Sequence, residues 1–299
     1  MRKDVIGLGA LNYDVLYAVE RIARGGEEVG IRDVNKAPGG SAANTIVALS
    51  RLGADVGFVG IVGSDEEGEL IQEDLRKEKV ETRIIKEEGY TGAAIGFIDA
   101  GGERALYIYP GVNDLLCMEH IDREFVRSAE FLHTSSFVSK EQLAMQCSLA
   151  REITAKLSFS PGMLCFNYHL EDLAALIERS DVLFVSIREL KSLIADANYE
   201  KGAEDLLNLG AGIVCVTLDE RGCYVADRTG ESHVIGAYPT VNVVDTTGAG
   251  DAFAAGFLFG LLHEAGIYES GKSGNVVASF CIREYGSRKG LPYALPERF

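Results

Sequence analysis

The segment Val243 to Leu258, reading VVDTTGAGDAFAAGFL, carries the residue types that phosphoryl transfer requires. Gly248, Ala249 and Gly250 have little or no side chain, so their backbone N–H groups can approach a ligand closely. The apolar run that follows predicts a helix, which puts those amides at a helix N-terminus, where the dipole favours negative charge. A transferring phosphoryl group needs such preorganised donors around its equatorial oxygens. Asp251 falls in the first predicted turn, and its carboxylate can enter the same space to take a proton from an attacking hydroxyl. On these residues alone a second reading stays open, an Asp that stabilises a helix start after a glycine turn.

The elements that must position this segment can be read along the chain. Val5 to Leu11 predicts a buried strand, and Pro38-Gly39-Gly40 breaks the chain before a helix over Ala42 to Leu52 with Ser41 as its N-cap. Asp55 to Val62 is a second strand and Glu66 to Lys79 an amphipathic helix. Thr91 to Asp99 and Arg104 to Tyr109 pair as a hairpin across Ala100 to Glu103. Strands are then expected at Ala129 to His133, Asp181 to Val185, Ile213 to Leu218, Cys223 to Ala226 and Ser232 to Ile235. Helices are expected over Lys140 to Lys156, Arg188 to Ala195, Lys201 to Leu209, Gly250 to Glu264 and Tyr268 to Glu284. A β-like run ends near Val244. This alternation argues for an α/β fold, a mostly parallel sheet with helices on both faces. The polar stretch from Asp14 to Lys36, whose short alternating pieces such as Glu28-Val-Gly-Ile-Arg suit an exposed sheet flap, does not fit that scheme, and the early polar β segments look like an appended lid.

The bulk properties exclude several classes. With 299 residues, nearly half of them hydrophobic, the chain has a sizeable core. Its net charge of −16 argues against a nucleic-acid partner. It also means that an anionic ligand must be held by local features. The six cysteines show neither a CxxC pair nor zinc-like spacing, as expected of reduced thiols. No signal-peptide pattern opens the chain, and no apolar stretch reaches the roughly 18 residues that span a bilayer. The expectation is a soluble, cytoplasmic protein with no membrane partner. Gly7-Leu-Gly9-Ala-Leu-Asn12 fails the dinucleotide fingerprint at its third glycine, GxxxxGK[ST] is absent, and no HExxH or triad motif appears.

Asp245 to Leu258 resembles the C-terminal signature of the ribokinase-like (PfkB) carbohydrate kinases. Pro38-Gly-Gly-Ser-Ala-Ala-Asn44 is similar to their N-terminal Gly-Gly element. Arg51-Leu-Gly53, Thr91-Gly92, Pro110-Gly-Val-Asn113 and Val216-Thr-Leu-Asp-Glu-Arg-Gly222 extend the resemblance over nearly the whole chain. It implies a single Rossmann-like three-layer domain over residues 1–299, with a lid from insertions at about 12–38 and 90–112 that closes over a sugar. It also implies an ATP-dependent kinase that phosphorylates a sugar hydroxyl, with Asp251 as general base and Gly248, Ala249 and Gly250 as anion hole. Asn12, Asp14, Gly39, Gly40 and Asn44 correspond to acceptor-binding positions. Thr217, Gly222 and Asn275 correspond to ATP contacts, and Glu189 to a position that organises Mg²⁺ through water. Asp245 and the loop Arg283 to Arg288 correspond to a monovalent-cation (K⁺) site. Many members are homodimers that pack their lids together.

Three positions depart from the family pattern. Ser186 stands for Asn in the element Ser186-Ile-Arg-Glu189, Asp219 stands where Gly is frequent, and Ser41 where Lys is often found. The loss of that Lys argues against a phosphorylated acceptor. The same Gly-Gly element also resembles that of nucleoside kinases, for which Phe97, Tyr107 and Tyr109 could stack a base or could simply be lid core. A sugar or sugar acid is the preferred acceptor and a nucleoside the alternative. The reading from another class, a catalytically silent sugar or nucleotide binder, has no use for Asp251.

Overall fold

The computed structural model describes residues 2–99, 101, 104–194, 198–240 and 242–296. The chain opens with β1 (Lys3–Leu8), β2 (Asn12–Val19), β3 (Ile31–Gly39), α1 (Ser41–Arg51), β4 (Val56–Gly63), α2 (Glu66–Lys77) and β5 (Glu81–Glu87). There follow β6 (Gly92–Ile98), β7 (Arg104–Tyr109), α3 (Arg123–Arg127), β8 (Ala129–Ser135), α4 (Lys140–Glu152), β9 (Lys156–Ser160), α5 (Leu164–Asn167) and α6 (Leu170–Arg179). The last third holds β10 (Val182–Ser186), α7 (Ile187–Leu193), α8 (Tyr199–Leu209), β11 (Ile213–Thr217), β12 (Cys223–Asp227), β13 (Ser232–Ile235), α9 (Ala249–Leu262) and α10 (Ile267–Cys281). Among the described residues no helix is long and apolar enough to cross a membrane.

The main sheet has the order β13-β12-β11-β10-β9-β8-β1-β4-β5, parallel except that β12 pairs antiparallel with both β11 and β13. From β1 the chain moves out to β4 and β5, then returns to β8 on the other side and proceeds outward. The strand order therefore reverses between β1 and β8, and in open α/β sheets the crevice beyond the strand ends at such a point is where ligands bind.

Both faces of the sheet's centre are covered, so β4 is apolar and buried along its whole length, while the edge strand β5 carries charged residues and is partly exposed. On one face Val5, Phe58 and Phe184 pack against Ile46 of α1 and Phe257 of α9. On the other, Ile6, Ile61 and Leu183 pack against Leu149, Leu176 and Leu206. Phe184 meets Phe253 and Phe257 edge-on at 6.1 and 5.6 Å, which anchors α9 to the sheet.

A separate sheet has the order β3-β2-β6-β7. β2 pairs parallel with β6, and the outer pairs are antiparallel. The register matches Asp14 with Ala94 and Leu16 with Gly96, and period-two alternation puts these four on one face. Tyr17, Phe97, Tyr107 and Tyr109 lie on the opposite face, where Tyr17 stacks on Phe97 at 5.3 Å. These aromatics point away from Asp14, so they do not offer a base-stacking surface beside it.

Several elements differ from expectation. Ser41 is the first residue of α1, not its cap, and Gly40 takes the cap position with a φ of 104°. The helix expected to reach Lys156 stops at Glu152, because Lys156–Ser160 forms β9. The alternating Lys156, Ser158 and Ser160 hide that strand, yet the buried Ser158 hydroxyl pairs with His133 Nδ1 at 2.9 Å inside the sheet. β5, α3, α5 and α6 have no counterpart among the expected elements. The run ending near Val244 is irregular, with Val243 and Val244 exposed. Apart from Gly101, the expected turn Ala100 to Glu103 lies outside the described residues, as does Ala195 at the end of an expected helix.

Because Phe257 is fully buried between sheet and helix, Phe257→Ala should cost about 3–5 kcal/mol. Urea unfolding would show this as a lower midpoint at unchanged slope. A loss under about 1 kcal/mol would contradict the packing described.

Candidate active site

The N-termini of α1 and α9 meet over the ends of β1 and β8. Ala42 N–H donates to the Ser135 hydroxyl at the end of β8, 3.0 Å away. Asp251, third residue of α9, lies against α1. Its Oδ1 accepts from Ser41 Oγ at 2.6 Å and its Oδ2 from Asn44 Nδ2 at 2.9 Å, while its backbone carbonyl accepts from Thr45 Oγ1 at 3.3 Å. Burial pushes the Asp251 carboxyl up to about 6. The Ser41 and Asn44 hydrogen bonds and the Arg288 charge oppose that rise, and the Glu189 charge adds to it. Such a group is ionised at neutral pH yet close enough to it to accept a proton.

The turn before α9 is built for glycine. Gly248 caps the helix at φ 79°, and a Cβ there would lie 2.5 Å from that of Ser287. A Cβ on Gly250 would meet nothing within 4 Å, so the first turn fronts open space. Of the three expected anion-hole residues, Ala249 has its N–H taken by the Thr246 carbonyl at 3.2 Å.

Asp14, on the inner face of the small sheet, is pushed up to about 7, chiefly by burial, with Arg288 opposing and Asp251 reinforcing the shift. Its Oδ1 is buried without a hydrogen-bond partner among the described residues. A buried acceptor left in this way points to a donor that arrives with a ligand. A Cβ at Gly39 would sit 2.1 Å from Asp14 Oδ2, so only glycine leaves room for that carboxylate. Asn12 Oδ1 accepts from Asn113 Nδ2 at 3.1 Å, and Asn113 also bonds the backbone of Leu11, fixing the exit from β1. Beside Asp14 a cavity of about 50 Å³ is lined by Leu16, Gly96, Ile98, Leu106 and Thr247. A wider groove of about 430 Å³ between α8 and the β12–β13 hairpin holds none of the expected residues.

Sequence reading places Arg288 only at the end of a cation-site loop and misses its contacts beside Asp251. Only 8% exposed, it donates from Nε to Asn44 Oδ1 at 2.8 Å and from Nη2 to the Gly39 carbonyl at 3.2 Å, and it pairs with Asp74 of α2. Its partners are more than 200 residues away in sequence, so no local pattern marks it.

The other expected residues line the neighbouring strand ends. In β10 and β11, Ser186 and Thr217 are in register. Ser186 caps α7 and forms a capping box with Glu189, whose Oε2 accepts from Ser186 N at 2.7 Å. Serine in place of asparagine thus keeps a cap at this position. Burial raises the Glu189 carboxyl. Asp219 adopts φ 53°, the left-handed backbone that favours glycine and that Asp tolerates, so this departure keeps the turn. A Cβ on Gly222 would lie 2.1 Å from the Ile235 carbonyl. Asn275 is buried, and its amide donates to the carbonyls of Ile235 and Gly236 at 3.3 and 3.0 Å. Gly222 and Asn275 therefore meet at one segment. Asp245 Oδ1 accepts from Thr247 N–H and Oγ1, and its Oδ2 accepts from Gly286 N–H. It ties the α9 turn to the C-terminal loop.

Comparison with known proteins places this geometry. The pfkB family of carbohydrate kinases matches residues 2–294. An uncharacterised sugar kinase of Archaeoglobus fulgidus is 38% identical over 82% of this chain and 98% of its own. An ATP-dependent ribose-1-phosphate kinase of Halopiger xanaduensis is 33% identical over 95% of this chain and 93% of its own. The crystal structure of a ribokinase from Thermotoga maritima superposes with a TM-score of 0.87 at 25% identity, covering 97% of this chain and 96% of that one.

The Asp251 carboxyl titrates higher in the fold than its ordinary value of 3.8, so the fold favours its protonated form. Its contribution to stability is present below that ordinary value and is lost as pH rises through about 6. Asp251→Asn should therefore melt above the wild type at pH 8, by roughly 2–4 °C. The gain should vanish by pH 3.5, a value below that ordinary one. Thermal denaturation at the two pH values checks this, and a lower melting temperature for the variant at pH 8 would contradict it.

Proposed function

This chain belongs to the pfkB family of carbohydrate kinases, and on that premise we propose that it transfers the γ-phosphoryl group of ATP to a hydroxyl of a small sugar or sugar derivative. The observation that carries the reading is the desolvated Asp251 carboxylate in the first turn of α9, beside a glycine turn that fronts open space. Asp251 takes the acceptor hydroxyl's proton as the oxygen attacks the γ-phosphorus in line, and the phosphorus–oxygen bond to ADP breaks. The backbone N–H groups of Gly248, Gly250 and Asp251 receive the phosphoryl oxygens as charge develops on them. Asp14 accepts from the sugar hydroxyls, with Asn12, Gly39, Gly40 and Asn44 completing that pocket. Thr217, Gly222 and Asn275 form the nucleotide side, Asn275 by holding the Ile235–Gly236 backbone.

Mg²⁺, when bound, neutralises phosphate charge. Glu189 suits it, because a buried carboxylate hydrogen-bonded by Ser186 would be stabilised in its ionised form by a nearby cation. Asp245 corresponds to the monovalent-cation position, where the hydrogen bonds from Thr247 and Gly286 would share its oxygens with a cation. The small sheet acts as a lid whose closure excludes water and limits ATP hydrolysis.

A sugar is favoured over a nucleoside because Phe97, Tyr107 and Tyr109 face away from Asp14. The nucleoside reading keeps one support, the apolar Leu16, Ile98 and Leu106 beside Asp14. ADP release with ATP and Mg²⁺ across pentoses, hexoses, sugar acids, ribose 1-phosphate and nucleosides tests both. Turnover is expected with a sugar class and should fall on the order of 10²-fold or more in Asp251→Asn. Near-normal turnover in a folded variant would remove Asp251 from the role of base.

The outer lid face exposes Val34, Ile95, Tyr107 and Tyr109. We propose that it packs against the lid of a second copy, covering apolar surface and strand edges together. Sedimentation should show a dimer at micromolar concentration and a monomer for Tyr107→Glu. A wild-type monomer would refute the arrangement.

A further inference from the structure

We infer that Arg288 is a positioning residue for phosphoryl transfer, setting the orientation of the Asn44 amide against Asp251 and holding the end of β3 against Asp14. The inference rests on the kinase reading above for its kinetic consequences. An amide has a donor end and an acceptor end, and their placement is decided by its neighbours. Arg288 Nε can only donate, so Asn44 must turn Oδ1 towards it and Nδ2 towards Asp251 Oδ2. The ionised carboxylate favours the same orientation from its own side, and the guanidinium adds a donor that holds Oδ1 in place and fixes the amide between the two. The other arm of the fork grips the Gly39 carbonyl, opposite the carboxylate that Gly39 alone has room for. The residue is itself secured. Its guanidinium pairs with Asp74 of α2, and its carbonyl accepts from Arg51 Nη1 at 2.6 Å. Arg51 in turn is paired with Glu78 at 2.6 Å. A buried charge held from α1, α2, β3 and the C-terminal loop is fixed in place, and a planar fork does what a lysine cannot.

The charge matters as well as the fork. The titratable and charged groups that face Asp251 are Arg288 from the C-terminal loop, Asp14 from β2, Glu189 from α7 and Cys281 from α10, with the neutral Ser41 and Asn44 from α1. Arg288 is the cation of this set. Its removal should raise the pH at which Asp251 takes up a proton, and lysine should restore that pH without restoring the fork.

The test compares Arg288→Gln, Arg288→Lys and Asp74→Asn with the wild type. Arg288→Gln should lower kcat by about 10- to 100-fold and raise the acceptor KM several-fold, with the ATP KM within about twofold. Its acid limb should move to higher pH. Arg288→Lys should keep the wild-type limb and still lose kcat. A merely structural role would lower thermal stability and active fraction, yet leave KM and pH profile of the folded enzyme unchanged, and that outcome overturns the inference. Should Arg288→Gln not fold, Asp74→Asn loosens the same guanidinium from outside the site. It should lower kcat severalfold at constant ATP KM, and no effect there overturns the inference equally. Titration of Asp251 by ¹³C NMR of aspartate-labelled protein, assigned with Asp251→Asn, separates this inference from the kinase reading. A wild type inactive on every acceptor sinks the kinase reading alone. An unmoved Asp251 midpoint in Arg288→Gln sinks the role of Arg288 whatever the activity.

Discussion

A carboxylate taken out of water must be given donors in place of it, and the position of Asp251 is governed by that requirement. Both its oxygens are supplied by the first turn of α1, through Ser41 and Asn44. The two helix starts can meet only because α1 lies close on β1. A Cβ at Gly7 would strike Ile46 and Phe58, and one at Gly9 would lie 2.7 Å from that of Ala42. The reversal of strand order at β1 opens the crevice in which this meeting takes place. Fold and site are thus linked by one geometric condition, two helix N-termini brought to the same strand ends, one carrying the carboxylate and the other its donors.

The small sheet divides its labour by face. Period-two alternation sends Asp14, Leu16, Ala94 and Gly96 inward and Tyr17, Phe97, Tyr107 and Tyr109 outward. A single-residue slip in register would exchange the two sets, so the pairing of β2 with β6 decides whether a carboxylate or an aromatic ring meets the crevice. The inner face presents, at Asp14 Oδ1, a hydrogen-bond acceptor with no donor among the described residues.

The local part of this account was legible in the sequence. The glycine turn, the start of α9 and Asp251 in its first turn lie within a few residues of each other, and their chemistry follows from helix-end physics. The parallel sheet followed from alternation. What was not legible depends on partners remote in sequence. The hydroxyl of Ser41 looked like a cap and instead serves a carboxylate 210 residues away. Arg288 has no local signature. The strand β9 reads as polar because the burial of Ser158 is made possible by His133 on the adjacent strand. The capping box of Ser186 and Glu189 could have been found from its spacing alone, and it explains how serine serves where the family pattern has asparagine.

The central claim is that Asp251 acts as the base because burial holds its carboxyl near neutrality. The pH dependence of kcat, measured with both substrates saturating so that Asp14 is already occupied, tests this most directly. We expect kcat to fall on the acid side as Asp251 takes up a proton, and the residual rate of Asp251→Asn to show no such limb. A wild-type kcat that stays level down to pH 5, or a variant that keeps the limb, would contradict it.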